Sequence, residues 1–403
     1  MLRNSARRAL CHGSVYCEDI MFTAEHEMLR ATVREFVKTE LDPHAEHWEK
    51  QGIWPARHVL GAMGALGLLG LSYAESDGGG GADYSFNAVL LEELGRAVPM
   101  GATLGICVHT DMATPALAKH GSAYLRQQYL VPAMRGELVS SIAVSEPDAG
   151  SDVAAIRTTA RADGDDYVIN GSKMWITNGS QADFLCLLAR TGDGNGSRGM
   201  SLIVMPTNLT GFSVSRKLDK LGLRDSDTAI LAFDNVRVPR NHLIGDEGLG
   251  FAYQMQQFQR ERLAMVLMSL GSMQRMIDLT KTYLKQRVAF GKPLIDNQHI
   301  YFAMSELITE IEALRFLAYE CVRQYAAGND MTRLASMAKL KSGQLSRRVA
   351  DVCLQFHGGM GYVEEYPIAR YFRDIRLWAI GGGADEVMME VIAKYEGMGP
   401  KGR

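Results

Sequence analysis

The chain has 403 residues, 47% hydrophobic and 22% charged, and its 43 Lys and Arg against 46 Asp and Glu leave a formal net charge of −3. That composition excludes a disordered or fibrous protein, and at roughly 100–200 residues per domain the length suggests two to four domains. Near neutrality also argues against nucleic acid as the main partner, because phosphate binding needs a concentrated basic field.

The first 17 residues carry Arg3, Arg7 and Arg8 with Ser5 and Ser14 and no acid, and Leu2, Ala6, Ala9 and Leu10 are spaced to share a helical side. Such a start resembles a mitochondrial transit peptide, so residues 1–21 are expected to be a transit peptide or a flexible extension and the compartment the mitochondrial matrix. The alternative is a bacterial cytoplasm, with Met21-Phe22-Thr23 as a second possible start.

Residues 22–138 are expected to form a helical domain. Leu29, Val33, Phe36 and Val37 recur at helical spacing, and Leu60, Met63 and Leu66 repeat the pattern. The uncharged run from Val59 to Ala74, interrupted by Gly61, Gly64, Gly67 and Gly70, is too short to cross a bilayer and is expected to be a buried helix held close to a neighbour. Four consecutive glycines make Asp77 to Asp83 a loop.

Over 139–250 the texture changes to an antiparallel β domain. Tyr167-Val168-Ile169, Trp175-Ile176-Thr177, Phe184 to Leu188, Leu202-Ile203-Val204 and Ile230 to Phe233 are short β-type runs, with Asn170-Gly171 and Asn178-Gly179 as turn signals. Gly194-Asn195-Gly196-Ser197-Arg198-Gly199 fits the dinucleotide pattern, but a β-type run follows where a helix should start, so it is expected to be a hairpin loop.

Helical stripes return over 251–403: Leu263, Val266, Leu267, Leu270 and Ile277; Ile300, Met304, Leu307, Ile311 and Leu314; Leu345, Val349, Val352 and Phe356. They predict a four-helix bundle. The fold class is therefore α+β, in the order helical domain, β domain, bundle.

Cys11, Cys17, Cys107, Cys186, Cys321 and Cys353 are scattered without a Cys-x-x-Cys spacing, which suits a reducing compartment. His44-Ala45-Glu46-His47 lacks a third ligand and reads as a solvated helix face, so no metal is expected. Without a Walker loop, His-Glu-x-x-His or Gly-x-Ser-x-Gly, hydrolase and nucleotidase readings lose support.

Val144-Ser145-Glu146-Pro147-Asp148-Ala149-Gly150-Ser151-Asp152 joins hydroxyls, a Pro-fixed backbone and glycines able to offer N–H groups, although alone such a stretch is a turn as often as a site. It is followed by Trp175-Ile176-Thr177, by Arg287-Val288-Ala289-Phe290-Gly291 and by Gln355-Phe356-His357-Gly358-Gly359-Met360-Gly361-Tyr362. In that order, over roughly residues 22–396, the sequence resembles the acyl-CoA dehydrogenase family, in its long-chain and isovaleryl branch.

The resemblance implies an FAD-dependent oxidoreductase of fatty acid β-oxidation that removes the α-proton of an acyl-CoA and passes a hydride from its β-carbon to flavin N5. Ser145, Trp175, Ile176 and Thr177 would contact the isoalloxazine, with Val144, Gly150 and Ser151 as further cofactor-binding residues. Arg287, Phe290, Gln298, Gln355, Phe356, His357, Gly358 and Gly359 would hold the pyrophosphate and adenine side of a neighbouring subunit's FAD. Ala384, Asp385 and Glu386 would add cofactor contacts, with Ala384 standing where a Thr is usual. A homotetramer built as a dimer of dimers follows, with an electron-transferring flavoprotein as acceptor and no transmembrane segment. On the residues alone, Trp175 could equally be a core aromatic and Arg287 a solvated helix cation.

Many relatives place the catalytic Glu where this chain has Gly382. The second family location, a Glu-Arg pair at the start of the first bundle helix, matches Glu261-Arg262. No charge occurs from Leu263 to Met273, so that helix should be buried all round, and Glu261, Met265, Met268 and Ser272 share one face. Burial should raise the Glu261 pKa toward that of a base, whereas the duller reading is a first-turn acid favoured by the helix dipole.

Gly382 would still offer its backbone N–H, which with a ribityl hydroxyl of FAD holds the thioester carbonyl, and Gly383 adjoins it. Missing side chains at Gly381 and Gly382 should widen the cavity for medium, long or branched acyl chains. Ser151 is expected near the thioester and Arg262 near the CoA phosphates. The alternatives are an acyl-CoA oxidase using O2 and a non-catalytic acyl-CoA-binding or assembly homologue.

Overall fold

The computed structural model describes residues 22–194 and 196–399; the Arg-rich start over 1–21 lies outside the described residues. In the Ala24–Phe36 helix the three- and four-residue spacing buries Val33 and Phe36, while Leu29 is half-buried. The uncharged run is not one helix. Its helical part is Ala56–Ala65, and the chain then turns through Gly67 at φ +71°, which leaves Leu66 52% exposed. The expected close contact is real: a Cβ on Gly64 would lie 2.2 Å from the Arg135 carbonyl oxygen. Further on, the Tyr84–Leu94 and Met100–Cys107 helices are buried along nearly their whole length.

Strands β1 (Ser140–Ala143), β2 (Thr159–Asp163), β3 (Asp166–Thr177), β4 (Phe184–Arg190), β5 (Met200–Pro206), β6 (Phe212–Lys217), β7 (Thr228–Pro239) and β8 (Leu243–Ile244) form one sheet, ordered β6-β7-β3-β2-β4-β5-β8 with β1 on β4. Its ladders are mainly antiparallel, but β1 runs parallel to β4, with Ile142 opposite Cys186. Asn170-Gly171 is not a turn. It is a bulge inside β3, where Gly171 has φ +145° and the Asn235 N–H donates to Asn170 Oδ1 at 2.9 Å. Asn178-Gly179 does turn the chain out of β3, and the glycines Gly194, Gly196 and Gly199 lie in the β4–β5 hairpin loop.

Three long helices, Gly250–Gln286, Gln298–Ala326 and Thr332–His357, and the shorter Asp385–Tyr395 build the bundle around the largest core. Every residue from Leu263 to Met273 is buried, as the missing charges required. Glu261 is not at the helix start. Eleven residues separate it from Gly250, about three turns, so the helix dipole does not account for an acid there. Among the described residues no helix is long and apolar enough to cross a membrane.

Candidate active site

The Val144–Asp152 stretch leaves β1 and is pinned against β3 by a buried lysine. Lys173 Nζ donates to the Val144 carbonyl oxygen at 2.8 Å and to Glu146 Oε1 at 3.0 Å, and the Met174 N–H donates to the Ser145 carbonyl oxygen at 2.9 Å. Burial lowers the Lys173 amine to about 8, against the Glu146 carboxylate that supports its charge. Glu146 also accepts the N–H groups of Arg157 and Thr158 at 2.6 and 2.9 Å, so the turn is closed on both sides.

A second irregularity in β3, between Lys173 and Ile176, puts Trp175 at φ +61°. A non-glycine residue there is strained, and such strain persists where the surroundings enforce it. Trp175 is 50% exposed, so it is no core aromatic; its ring reaches Gly150, where a Cβ would stand 3.7 Å away. Ile176 is buried beneath it, and Ser145 and Thr177 are half-buried beside it. Val144 is buried, whereas Gly150 and Ser151 are exposed. An open indole flanked by two hydroxyl residues and a glycine is a surface that a flat heteroaromatic ring such as a flavin can cover.

Glu261 is 5% exposed, and two amides meet on one of its oxygens. Gln254 Nε2 donates to Oε1 at 2.9 Å and Gln257 Nε2 at 2.8 Å. Among the described residues nothing hydrogen-bonds the other oxygen, Oε2. Burial raises the carboxyl to about 7, while Gln257, Gln254 and Arg262 pull it down and Asp111 pushes it further up. Its charge reaches Cys186 on β4, the strand whose pairing with β1 leads into Val144 and Ser145. The neighbouring Arg260 is neutralised by Asp111 at 2.9 Å and lies over the rings of Tyr73 and Tyr84.

One turn beyond Glu261, Met265 touches the glycine loop. Gly382 and Gly383 have φ of +64° and +103°, and a Cβ on Gly382 would meet Met265 Cγ at 3.3 Å and Lys339 Cε at 3.7 Å. A Cβ on Gly381 would meet Leu377 at 3.2 Å. A Cβ at either position would therefore press on Met265 or Leu377, although Gly382 itself is exposed. Lys339 Nζ donates to the carbonyl oxygens of Trp378 and Gly383 at 2.6 and 3.2 Å and ties the loop to the bundle. Arg262 points inward, with NH1 3.4 Å from Ser336 Oγ and a buried Nε that has no partner among the described residues. That position faces the glycine loop rather than a solvent-exposed phosphate.

Other expected cofactor residues gather elsewhere. The hairpin of β9 (Val288–Ala289) and β10 (Lys292–Pro293) turns at Phe290 and Gly291, both at positive φ, and leaves Phe290 wholly exposed beside exposed Arg287. Exposed Gln298 opens the next helix, where His299 meets the Phe356 ring at 6.1 Å; Gln355, Gly358 and Gly359 are exposed around it. His357 departs from the expectation. It is buried, stacked on Tyr283 at 4.5 Å, with Nδ1 2.7 Å from the Cys353 carbonyl oxygen, so it shapes the loop from below. Asp385 departs too, because it is buried and paired with Arg347 at 2.9 Å, while Ala384 is half-buried and Glu386 exposed. Among the described residues no hydrogen bond or ring contact joins this cluster to Trp175 or Glu261.

Gln254 and Gln257 were not singled out from the sequence, although their spacing of seven and four residues before Glu261 places all three on one helical face. Lys173 and Lys339 were missed because nothing local marks a lysine as buried.

Three family descriptions match in chain order: acyl-CoA dehydrogenase N-terminal domain over residues 23–137, middle domain over 141–236 and C-terminal domain over 248–396. The chain is 38% identical over 376 residues to the long-chain specific acyl-CoA dehydrogenase, mitochondrial, of Sus scrofa, covering 93% of this chain and 87% of that one. It is 35% identical over 370 residues to the short-chain specific acyl-CoA dehydrogenase, mitochondrial, of Mus musculus, covering 92% and 89%. The crystal structure of an acyl-CoA dehydrogenase from Geobacillus kaustophilus superposes with a TM-score of 0.89 at 40% identity, over 93% of this chain and 98% of that one.

Proposed function

We infer, from the premise that this chain belongs to the acyl-CoA dehydrogenase family of FAD-dependent oxidoreductases, that it desaturates a medium-chain, long-chain or branched acyl-CoA to the trans-2-enoyl-CoA with Glu261 as the base. The observation that carries this reading is the state of Glu261: buried, with a pKa near 7, one oxygen tied by amides and the other untied, beside Met265 and the Gly382 loop. A base poised near neutrality suits removal of a weakly acidic α-proton.

The Trp175 platform, with Ser145 and Thr177, suits the flavin ring of FAD, which when bound supplies the hydride acceptor for the β-carbon. Glu261 takes the α-proton on Oε2. The Gly382 N–H donates to the thioester carbonyl, where negative charge grows as the proton leaves. Met265 and Met268 offer flexible thioether surface to the acyl chain. Arg262 braces the loop from inside, and Ser151 lies at the open edge toward the thioester.

Arg287, Phe290, Gln298, Gln355, Phe356, Gly358 and Gly359 serve the FAD of a neighbouring subunit in a homotetramer; the exposure of Phe290 and of Tyr362, at 88%, supports a partner there. Electrons pass on to an electron-transferring flavoprotein. The experiment is a panel of straight and branched acyl-CoA substrates added anaerobically to the wild type and to Glu261→Gln. Bleaching of the flavin by wild type alone supports the assignment; equal bleaching in both overturns it.

A further inference from the structure

We propose that Gln254 and Gln257 are positioning residues for Glu261: they hold its Oε1 and so leave Oε2 as the oxygen that meets the substrate. The inference rests on the reading of Glu261 as the base and adds how that base is aimed.

Gln257 has no freedom to do otherwise. The Ala116 N–H donates to Gln257 Oε1 at 2.9 Å, which fixes the amide orientation, and Nε2 then serves the Met112 carbonyl oxygen and Glu261 Oε1 together. Its carbonyl and one N–H are thus assigned by the backbone of residues 112–116, independently of the base, and the second N–H is left to Glu261. Gln254 is fully buried, and its side chain's only hydrogen bond among the described residues is the one to Glu261; its Oε1 has no partner there. A buried amide that leaves its carbonyl unpaired in order to donate to a neighbouring carboxylate is expensive unless that donation is used.

Two donors on one oxygen fix the carboxylate plane and favour its charged form, since hydrogen bonds to a carboxylate oppose protonation. Burial acts the other way, and the balance holds the group near neutrality. The remaining groups facing it are Arg262 on its own helix, Cys107 and Asp111 from the segment after Met100, and Cys186 on β4. None of these changes when an amide is removed.

The test uses the FAD-loaded enzyme with Gln254→Leu and Gln257→Leu, and as probe the acyl-CoA that bleaches wild type fastest in the panel above. Two quantities are read against pH: the limiting rate of anaerobic bleaching, and the infrared titration of the Glu261 carboxyl, isolated by difference against Glu261→Gln. Each lost hydrogen bond to the carboxylate should move the acid limb of the rate and the carboxyl titration upward by about one pH unit. The limiting rate at high pH should fall severalfold while substrate binding holds. An acid limb and a carboxyl titration unmoved in both variants overturn the proposal. Should Gln257→Leu fail to fold, because it also strands the Ala116 N–H and the Met112 carbonyl, Gln254→Leu decides alone, since it releases no backbone partner. Slow bleaching by Glu261→Gln together with unmoved titrations in the amide variants removes the positioning role and leaves the base; normal bleaching by Glu261→Gln removes the base itself.

Discussion

Met265 occupies the space into which a side chain at Gly382 would grow: a Cβ built on Gly382 lies 3.3 Å from Met265 Cγ. Met265 stands one helical turn after Glu261, so the loop position and the helix position open onto the same place. Bulk added at position 382 therefore competes with Met265.

Moving the base back to the loop should therefore fail in this chain. Gly382→Glu in the Glu261→Gln background asks a non-glycine residue to adopt φ +64° and to displace Met265. The backbone conformation alone costs about 1–2 kcal/mol. Steady-state turnover of the double variant should stay within about tenfold of Glu261→Gln, and adding Met265→Ala should raise it by making room. A double variant that turns over at the wild-type rate would refute the steric account.

Glu261→Gln keeps the size of the side chain and its neighbours but cannot accept the α-proton. kcat should drop by at least about 10²-fold, the low end for a general base, with FAD retained and acyl-CoA binding intact. Stopped-flow reduction together with a binding titration separates loss of chemistry from loss of affinity.

Much of this site is legible in the amino-acid sequence. The charge-free stretch Leu263–Met273 announced a buried helix, and Glu261 at its edge announced a carboxylate in apolar surroundings. What misled was local chemistry read without context. Asn170-Gly171 has the residues of a tight turn, yet pairing with β7 carries the strand straight through as a bulge. His357 and Asp385 belong to a motif, but ring stacking on Tyr283 and the ion pair with Arg347 turn both into the core. Glycines at 381 and 382 promised empty space, yet Leu377 and Met265 crowd the first atom of a side chain there. Apart from Leu377, four residues before Gly381, each miss comes from a partner far away in sequence, which periodicity does not report.

Lys173→Met should loosen the cofactor platform. It breaks a buried ion pair and leaves Glu146 to the donors of Arg157 and Thr158. Removing one partner of such a pair costs about 3–5 kcal/mol. The ratio of flavin to protein absorbance and the thermal melting temperature should both fall. Adding Glu146→Gln removes the stranded charge and should recover part of the melting temperature; if Lys173→Met alone keeps full flavin and an unchanged melt, the pinning role is wrong.

The same burial that suits Glu261 for its task makes it a stability liability at high pH. Its folded pKa of about 7 lies above the ordinary 4.5, so between these values the folded chain holds a proton that the unfolded chain has released. The group's contribution is complete below pH 4.5 and is lost as pH rises through 7, by about 3 kcal/mol in all. Asp374, raised to about 8 chiefly by burial and then by Asp225, has the same sign and supplies a background slope in any variant. Glu261→Gln has no proton to lose at that position. Urea unfolding of the FAD-loaded enzyme at pH 5, 6, 7 and 8 should therefore show wild-type stability falling more steeply than that of the variant. Parallel slopes would mean that the carboxyl titrates near its ordinary value, and a base ionised that easily would be too weak for the α-proton.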